Sequence, residues 1–306
     1  MSPVHVIGLA ARSPVGVTME ASAAAVRGRI GRVRRHPFLV DLRGEPVRIA
    51  LDAELPSDLF GRERMLRLAT STLEETVQKV APSSGTEILV FLGLPELRPG
   101  WSESDANWLA GELGKSRACK EASLRISPVV GGHAAALQGL HEVVTRIAKA
   151  DRGLAIVGGV DSYLHPDTLS ELDGREQLDA DDVWTGFAPG EAAGFMVVCG
   201  AQSIPPGQTP LATIRGTGIA TDQKLDGADE VNLGEGLAEA IRRASSVLRP
   251  GERIDEVYYD LNGERFRTEE WGLPYLGCRR SSKIRPHVGP ALRNGATSGQ
   301  RRAHSL

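Results

Sequence analysis

The chain has 306 residues, 41% of them hydrophobic, enough to bury a substantial core in one large domain or two modest ones. Its 36 Lys and Arg against 39 Asp and Glu leave a net charge of −3, which gives no reason to propose nucleic acid or a membrane surface as partner. No apolar run reaches the length of a membrane span, and the start, MSPVHVIGLAARSPVG, lacks the basic region and long apolar block of a secretory signal. Cys119, Cys199 and Cys278 have neither paired nor metal-like spacing, so the expectation is a cytoplasmic protein with reduced thiols, no metal and no cofactor.

In chain order, VHVIGLA predicts a strand that runs from an edge into a core, broken by RSPVG. Thr18 then offers an N-cap to a helix over TMEASAAAVRGRI. LVDLRGEPVRIALD reads as a hairpin around Gly44. The clearest helix is GRERMLRLATSTLEETVQKV, with Met65, Leu66, Leu68, Ala69, Leu73 and Val77 on or near one face. EILVFLGL is uniformly apolar and too short for a core helix, so it predicts a buried strand, and ESDANWLAGELG predicts the helix after it.

SLRISPVV leads through two glycines into the long helix of GGHAAALQGLHEVVTRI, a strand–turn–helix that puts His133 on show at the helix start. GLAIVGGVDSY and GEAAGFMVVCG are two more buried strands. A Pro-rich junction, AQSIPPGQTP, is followed by a strand in LATIRGTGIATD, a helix in LGEGLAEAIRRASSVL and a strand in IDEVYYDLNG. Strands alternate with helices almost throughout, which predicts an α/β fold divided near residues 201–210. From Trp271 to Leu306 there are seven Lys or Arg and no Asp or Glu, and no usable hydrophobic period, the pattern of a basic interaction tail.

Four of these segments, in order, resemble the β-ketoacyl synthases of the thiolase-fold superfamily. VHVIGLAARSPVG is similar to their first strand and turn, GGHAAALQGLHEVVTRI to the nucleophile turn and GLAIVGGVDSYLHP to the strand after it. GFAPGEAAGFMVV is close to the pattern G-F-x-x-G-E-G-A-G-x-x-V-L. The resemblance implies two similar halves, each a mixed five-stranded sheet covered by helices, here residues 1–200 and a partial second half over 201–277. It also implies a dimer formed across the strand before the nucleophile, and acyl groups delivered on an acyl carrier protein or as a CoA thioester. The family's later G-H-x-x-G-A-A-[GS] loop is missing. A shift of reading frame after about residue 277 would account for that and for the atypical segment 278–306, and implies a truncated second half.

A condensing synthase holds its acyl chain on a cysteine thiolate at a helix N-terminus and uses a pair of histidines to stabilise an enolate. Aligning Leu137 and Leu140 of the helix puts His133, next to Gly132, where the nucleophilic cysteine belongs. The loop of the first family histidine corresponds to VYYDLNGERFRTEEWG, with Asn262-Gly263-Glu264 instead of His-Gly-Thr. Asn262 can donate one hydrogen bond but cannot act as an acid, and Glu264 adds negative charge where an enolate needs the opposite. Phe187, Gly190 and Glu191 belong to the best-matching motif and are expected beside the substrate pocket, Glu191 bonded to loop backbone rather than catalytic. Cys199 reads as a small core residue and Cys119, among basic neighbours, as a free surface thiol. These departures leave three readings open: a thioester-handling protein not competent for condensation, an acyltransferase or malonyl decarboxylase using His133 and Asn262, and a non-catalytic partner subunit, homodimeric or paired with an active synthase.

Overall fold

The computed structural model describes residues 2–80, 87–181, 183, 186–222, 233–258, 260–262, 264, 266–272 and 284–288. The codon-shift segment beyond residue 288, Cys278 and Gly263 lie outside the described residues. The chain divides into two compact units, one of residues 1–25, 51–171 and 190–215, the other of residues 26–50, 172–189 and 216–306.

The first unit is built on a six-stranded mixed sheet in the order β5-β4-β6-β7-β1-β8. Its strands are β1 (Val4–Arg12), β4 (Ile88–Leu94), β5 (Leu124–Val130), β6 (Leu154–Ser162), β7 (Glu191–Gly200) and the short β8 (Ala212–Ile214). β5, β4 and β6 run parallel, β7 is antiparallel to both β6 and β1, and β8 is antiparallel to β1. The first five are the mixed five-stranded sheet expected of the first half. The sixth comes from beyond the Pro-rich junction, where LATIRGTGIATD forms only three strand residues, pairing Val4, His5 and Val6 with Ile214, Thr213 and Ala212.

Alternation along the strands divides the core in two, because successive side chains leave a strand on opposite faces. Val90 and Leu92 of β4, Ile156 of β6 and Phe195 and Val197 of β7 pack with Met65, Leu68 and Leu73 of α2 (Gly61–Val80) and with Leu109 and Leu113 of α3 (Glu103–Gly114). Phe91, Ala155, Val157 and Val198 point the other way, onto Val143, Val144 and Ile147 of α5 (Ala135–Ala150). Each such fully buried aliphatic side chain contributes about 1.5–3 kcal/mol. That both faces are covered explains why EILVFLGL and GLAIVGGVDSY are apolar throughout rather than alternating. Between these elements α4 (Arg117–Glu121) precedes β5, and α6 (Pro166–Gly174) follows β6.

Local signals set the element ends. Thr18 Oγ1 accepts from the Ala21 amide at the start of α1 (Met19–Arg27), as its N-cap assignment predicts. α3 begins with a capping box in which Ser102 and Asp105 satisfy each other's backbone N–H groups. α5 ends at Asp151, a non-glycine residue at φ 53°.

In the second unit, β2 (Val33–Val40) and β3 (Pro46–Ala50) form the antiparallel hairpin expected around Gly44, which has φ +82°. Past residue 215 the described residues hold α7 (Glu235–Ser245) and a two-stranded parallel sheet of β9 (Ile254–Val257) and β10 (Ile284–Val288). β10 lies inside the segment whose composition reads as an irregular basic tail.

Candidate functional site

The turn after β5 carries His133, the residue that the resemblance puts at the nucleophile position. β4 and β5 run parallel and end together at Leu94 and Val130, and the chain passes through Gly131 into a short 3-10 turn, Gly132–Ala134, that leads into α5. The Gly131 amide donates to the Leu94 carbonyl at 3.3 Å, tying the turn to the end of β4. Gly132 has φ +62°, a left-handed conformation that other residues adopt at a cost. A Cβ there would also lie 2.8 Å from Glu96 Oε1. His133 follows, exposed at the helix start. The N-cap of α5, Ala134, makes no side-chain cap bond, and its first turn carries no acidic residue, so the positive end of the helix is offset by no carboxylate of its own.

α5 can descend onto the sheet this closely because β4 carries glycine at its contact. A Cβ on Gly93 would come within 2.6 Å of the Ala136 backbone nitrogen. Glu96, the carboxylate against Gly132, was not singled out by sequence reasoning. It sits in the turn LPELRPG, where nothing in local pattern announces which helix start it will meet.

Gly190 and Glu191 belong to the same unit and open β7. Glu191 is enclosed by donors. Its Oε1 accepts from the Asp52 amide at 2.7 Å and from Arg64 Nη2 at 2.7 Å, and its Oε2 accepts from Arg64 Nε at 2.5 Å and Ser162 Oγ at 2.8 Å. The bond from the Asp52 amide is the loop-backbone contact expected of it. Arg64, absent from the predicted apolar face of α2, also donates to the carbonyls of Pro56 and Leu59. Asp52 in turn accepts from Arg12 Nε at 2.6 Å, a hydrogen bond that holds the Arg12 guanidinium above its ordinary pKa. The Gly190 carbonyl accepts from the Tyr163 amide at 3.1 Å.

Phe187, Asn262 and Glu264 belong to the second unit. Phe187 is buried, exchanging backbone hydrogen bonds with Gln177 and Asp179. Asn262 and Glu264 bind each other: the Asn262 amide donates to Glu264 Oε2 at 2.7 Å, and Asn262 Oδ1 accepts from the Glu264 amide at 3.1 Å. Arg267 closes the group, donating from Nε to Glu264 at 2.8 Å and from Nη1 to Asp260 at 2.6 Å.

The two described cysteines are core residues. Cys199, 0% exposed, is the small interior residue its strand predicts. Cys119 departs from its surface assignment. It is 3% exposed, packed in the α2 core, because α4 turns it inward while its basic neighbours face out. Burial pushes both thiols up, away from thiolate formation. Among the described residues no group of three or more His, Cys, Asp or Glu is placed to hold a metal ion, and no helix is long and apolar enough to cross a membrane.

The fold recurs in known structures. The ishigamide ketosynthase/chain length factor superposes over 93% of this chain and 79% of its own with a TM-score of 0.74 at 15% identity. The AntDE:AntF complex, a type II polyketide synthase acyl-carrier protein with its ketosynthase, matches over 95% and 81% with a TM-score of 0.72 at 14% identity. The chain has the thiolase-like ketosynthase fold. In sequence, this ketosynthase-like chain is 28% identical over 219 residues to the pikromycin polyketide synthase component PikAII of Streptomyces venezuelae. That match covers 63% of the chain and 6% of PikAII, so the chain spans a small fraction of its curated relative's length. No family model matches.

Proposed function

We propose that this ketosynthase-like chain handles acyl thioesters presented by a carrier protein or CoA in polyketide or fatty acid metabolism, in the cytoplasm, without carrying out carbon–carbon condensation. The observation that carries this reading is His133. It stands exposed on the turn between β5 and α5 of a ketosynthase fold, at the position that the resemblance gives to a nucleophilic cysteine.

Condensation needs a thiolate there, and the described thiols, Cys119 and Cys199, are buried in the core with raised pKa values. The position of the first family histidine supports the same reading. The Asn262 amide is engaged by Glu264, and Glu264 is ion-paired with Arg267, so this loop is organised around its own charges. Glu191 fits a supporting role, as its bonds to the Asp52 amide, Arg64 and Ser162 bind the fold together. A non-catalytic subunit that receives a carrier or pairs with an active synthase needs the fold, and a ketosynthase-like fold supports that role. We place a dimer contact along β5, the edge strand, which leads into the turn.

The test is incubation of the wild type and His133→Ala with acyl- and malonyl-loaded carrier protein, followed by intact mass and product analysis. The proposal predicts binding without condensation product in either protein. Acyl transfer or malonyl decarboxylation that disappears in His133→Ala would instead make His133 a working residue of an altered enzyme. A condensed product from the wild type would overturn the reading.

A further inference from the structure

The β2–β3 hairpin concentrates positive charge that the chain as a whole lacks. Between residues 27 and 48 there are seven arginines against Asp41 and Glu45, a net of +5 in a protein whose total is −3. Arg27, Arg29, Arg32, Arg34, Arg35 and Arg43 are exposed. Arg48 is half-buried and paired with Asp179 and Asp181, and Arg35 lies 4.0 Å from Glu45. Arg27, Arg29, Arg32 and Arg34 have no ion pair among the described residues.

Further along β2 and into its turn stand the apolar side chains of Phe38, Val40 and Leu42, with exposures of 52, 60 and 76%. Ile30 adds a fourth apolar side chain, 59% exposed. Phe38 is held in place by His36. His36 is buried, its Nδ1 accepts from the amides of Phe38 and Leu39, and its ring meets Phe38 edge-on at 4.5 Å. The tip is fixed by Asp41, whose Oδ1 accepts from the amides of Arg43 and Glu45. Among the described residues β2 pairs with β3 alone.

Charged side chains along a strand edge guard it against pairing with another chain. Here they share one hairpin with exposed apolar side chains, which undo such protection. The combination is that of an interface: a fixed apolar centre bordered by cations that steer a partner of opposite charge.

We propose that the β2–β3 hairpin is a docking surface for a protein that presents Asp and Glu side chains around an apolar centre. Resting on the function proposed above, that protein is the carrier that brings the thioester. Duplex nucleic acid has no use for the Phe38–Val40–Leu42 row, and Asp41 and Glu45 at the tip oppose insertion into an anionic bilayer.

The test uses the full chain and a fluorescently labelled holo carrier protein from a polyketide synthase, followed by anisotropy at low and high salt. The wild type should bind, and Arg29→Glu/Arg32→Glu/Arg34→Glu should bind about tenfold more weakly, the sum of three surface pairs. Its salt dependence should also be shallower, since fewer charges remain to be screened. Leu42→Ser, which changes no charge, should weaken binding too. Lys115→Glu/Lys120→Glu/Arg253→Glu, the same charge change at exposed positions elsewhere, should bind as the wild type does. Circular dichroism checks that each variant is folded.

Equal binding by the hairpin triple variant and the wild type overturns the surface while leaving the carrier reading intact. If the wild type ignores the carrier but binds an amphipathic Glu/Leu peptide through these arginines, the surface stands and the carrier reading falls. Failure to bind either one overturns the surface. Tighter binding to phosphatidylserine vesicles or duplex DNA, lost in the same variant, overturns the assignment to a protein partner.

Discussion

Arg64 and Glu191, 127 residues apart in the chain, face each other with both side chains 0% exposed, joined by two bonds of 2.5 and 2.7 Å. The pair links α2 to the first residue of β7, and Ser162 and the Asp52 amide fill the remaining acceptor positions. Its worth lies in completeness, since breaking a buried pair strands the surviving charge in a medium that cannot solvate it. Glu191→Ala or Arg64→Ala is expected to cost about 3–5 kcal/mol of stability. Arg64→Met combined with Glu191→Leu should recover a large part of that, because no charge is then left unpaired. Urea denaturation of the four proteins checks both statements, and a double variant no better than the singles would sink the argument.

Gly93 sets how closely α5 meets β4. A methyl group there meets backbone, the Ala136 nitrogen at 2.6 Å, rather than a side chain that can swing aside. Gly93→Ala should therefore lift the start of α5 and cost about 1–3 kcal/mol. Gly132→Ala meets the flexible end of Glu96 but must adopt φ +62°, so its cost should be about 1–2 kcal/mol and paid in backbone strain. Glu96→Ala should relieve none of the second penalty, since the strain belongs to the backbone. Thermal unfolding of Gly132→Ala with and without Glu96→Ala separates the two causes.

Much of the first unit was legible because its strands and helices carry strong periodic signals. The apolar runs 87–94 and 153–163 became β4 and β6, and Met65, Leu68, Ala69 and Leu73 took the inner face of α2. The hidden part was long-range and polar. Arg64, Thr72 and Thr76 are buried on the same helix, yet an arginine inside a helix normally reads as solvent-facing, and only Glu191 makes its burial tolerable. Cys119 misled for a related reason. Basic neighbours describe its chain surroundings, whereas α4 turns the thiol into the core. Asn262 and Glu264 sit on one short loop, but their mutual hydrogen bonds depend on a turn geometry that residue types alone leave open. The clustering of arginines before and within the hairpin was plain in the sequence. Its meaning needed the exposure of Phe38, Val40 and Leu42, since alternation alone could have turned them inward.

The buried thiols make a pH-dependent prediction. Burial raises the pKa of Cys119, partly opposed by a hydrogen bond with Ser116, and burial alone raises that of Cys199. In the unfolded chain each returns to about 8.5. The folded state thus holds these protons more tightly, so the stability they contribute is full below the unfolded value and is lost as pH rises through the folded ones. The urea midpoint should fall on going above about pH 8.5. In line with this, iodoacetamide at pH 8 should label Cys119 and Cys199 slowly in the folded protein and rapidly in urea, as read by peptide mass mapping. Equal rates in the two states would remove the case that neither is an active thiol.

The edge strand β5 carries the remaining prediction. Among the described residues it pairs with β4 alone, and Pro128, which has no N–H to give, lies in its middle as it can in an edge strand. Around it are exposed apolar side chains, Leu97 at 57%, Val130 at 43% and Leu137 at 63%. A strand edge in such surroundings invites a partner, and a second copy of this surface would bury both the backbone edge and the apolar groups. A stable dimer needs about 800 Å² from each partner, more than these three side chains supply, so the contact must continue along β5 and the exposed face of α5. Leu137→Glu places a charge in the middle of that face while leaving the core of the unit untouched. Sedimentation equilibrium should give the dimer mass for the wild type and the monomer mass for the variant, with unchanged circular dichroism. A monomeric wild type at tens of micromolar would rule out self-association here, and mixing with an active synthase subunit would then show whether Leu137 serves a heterodimer.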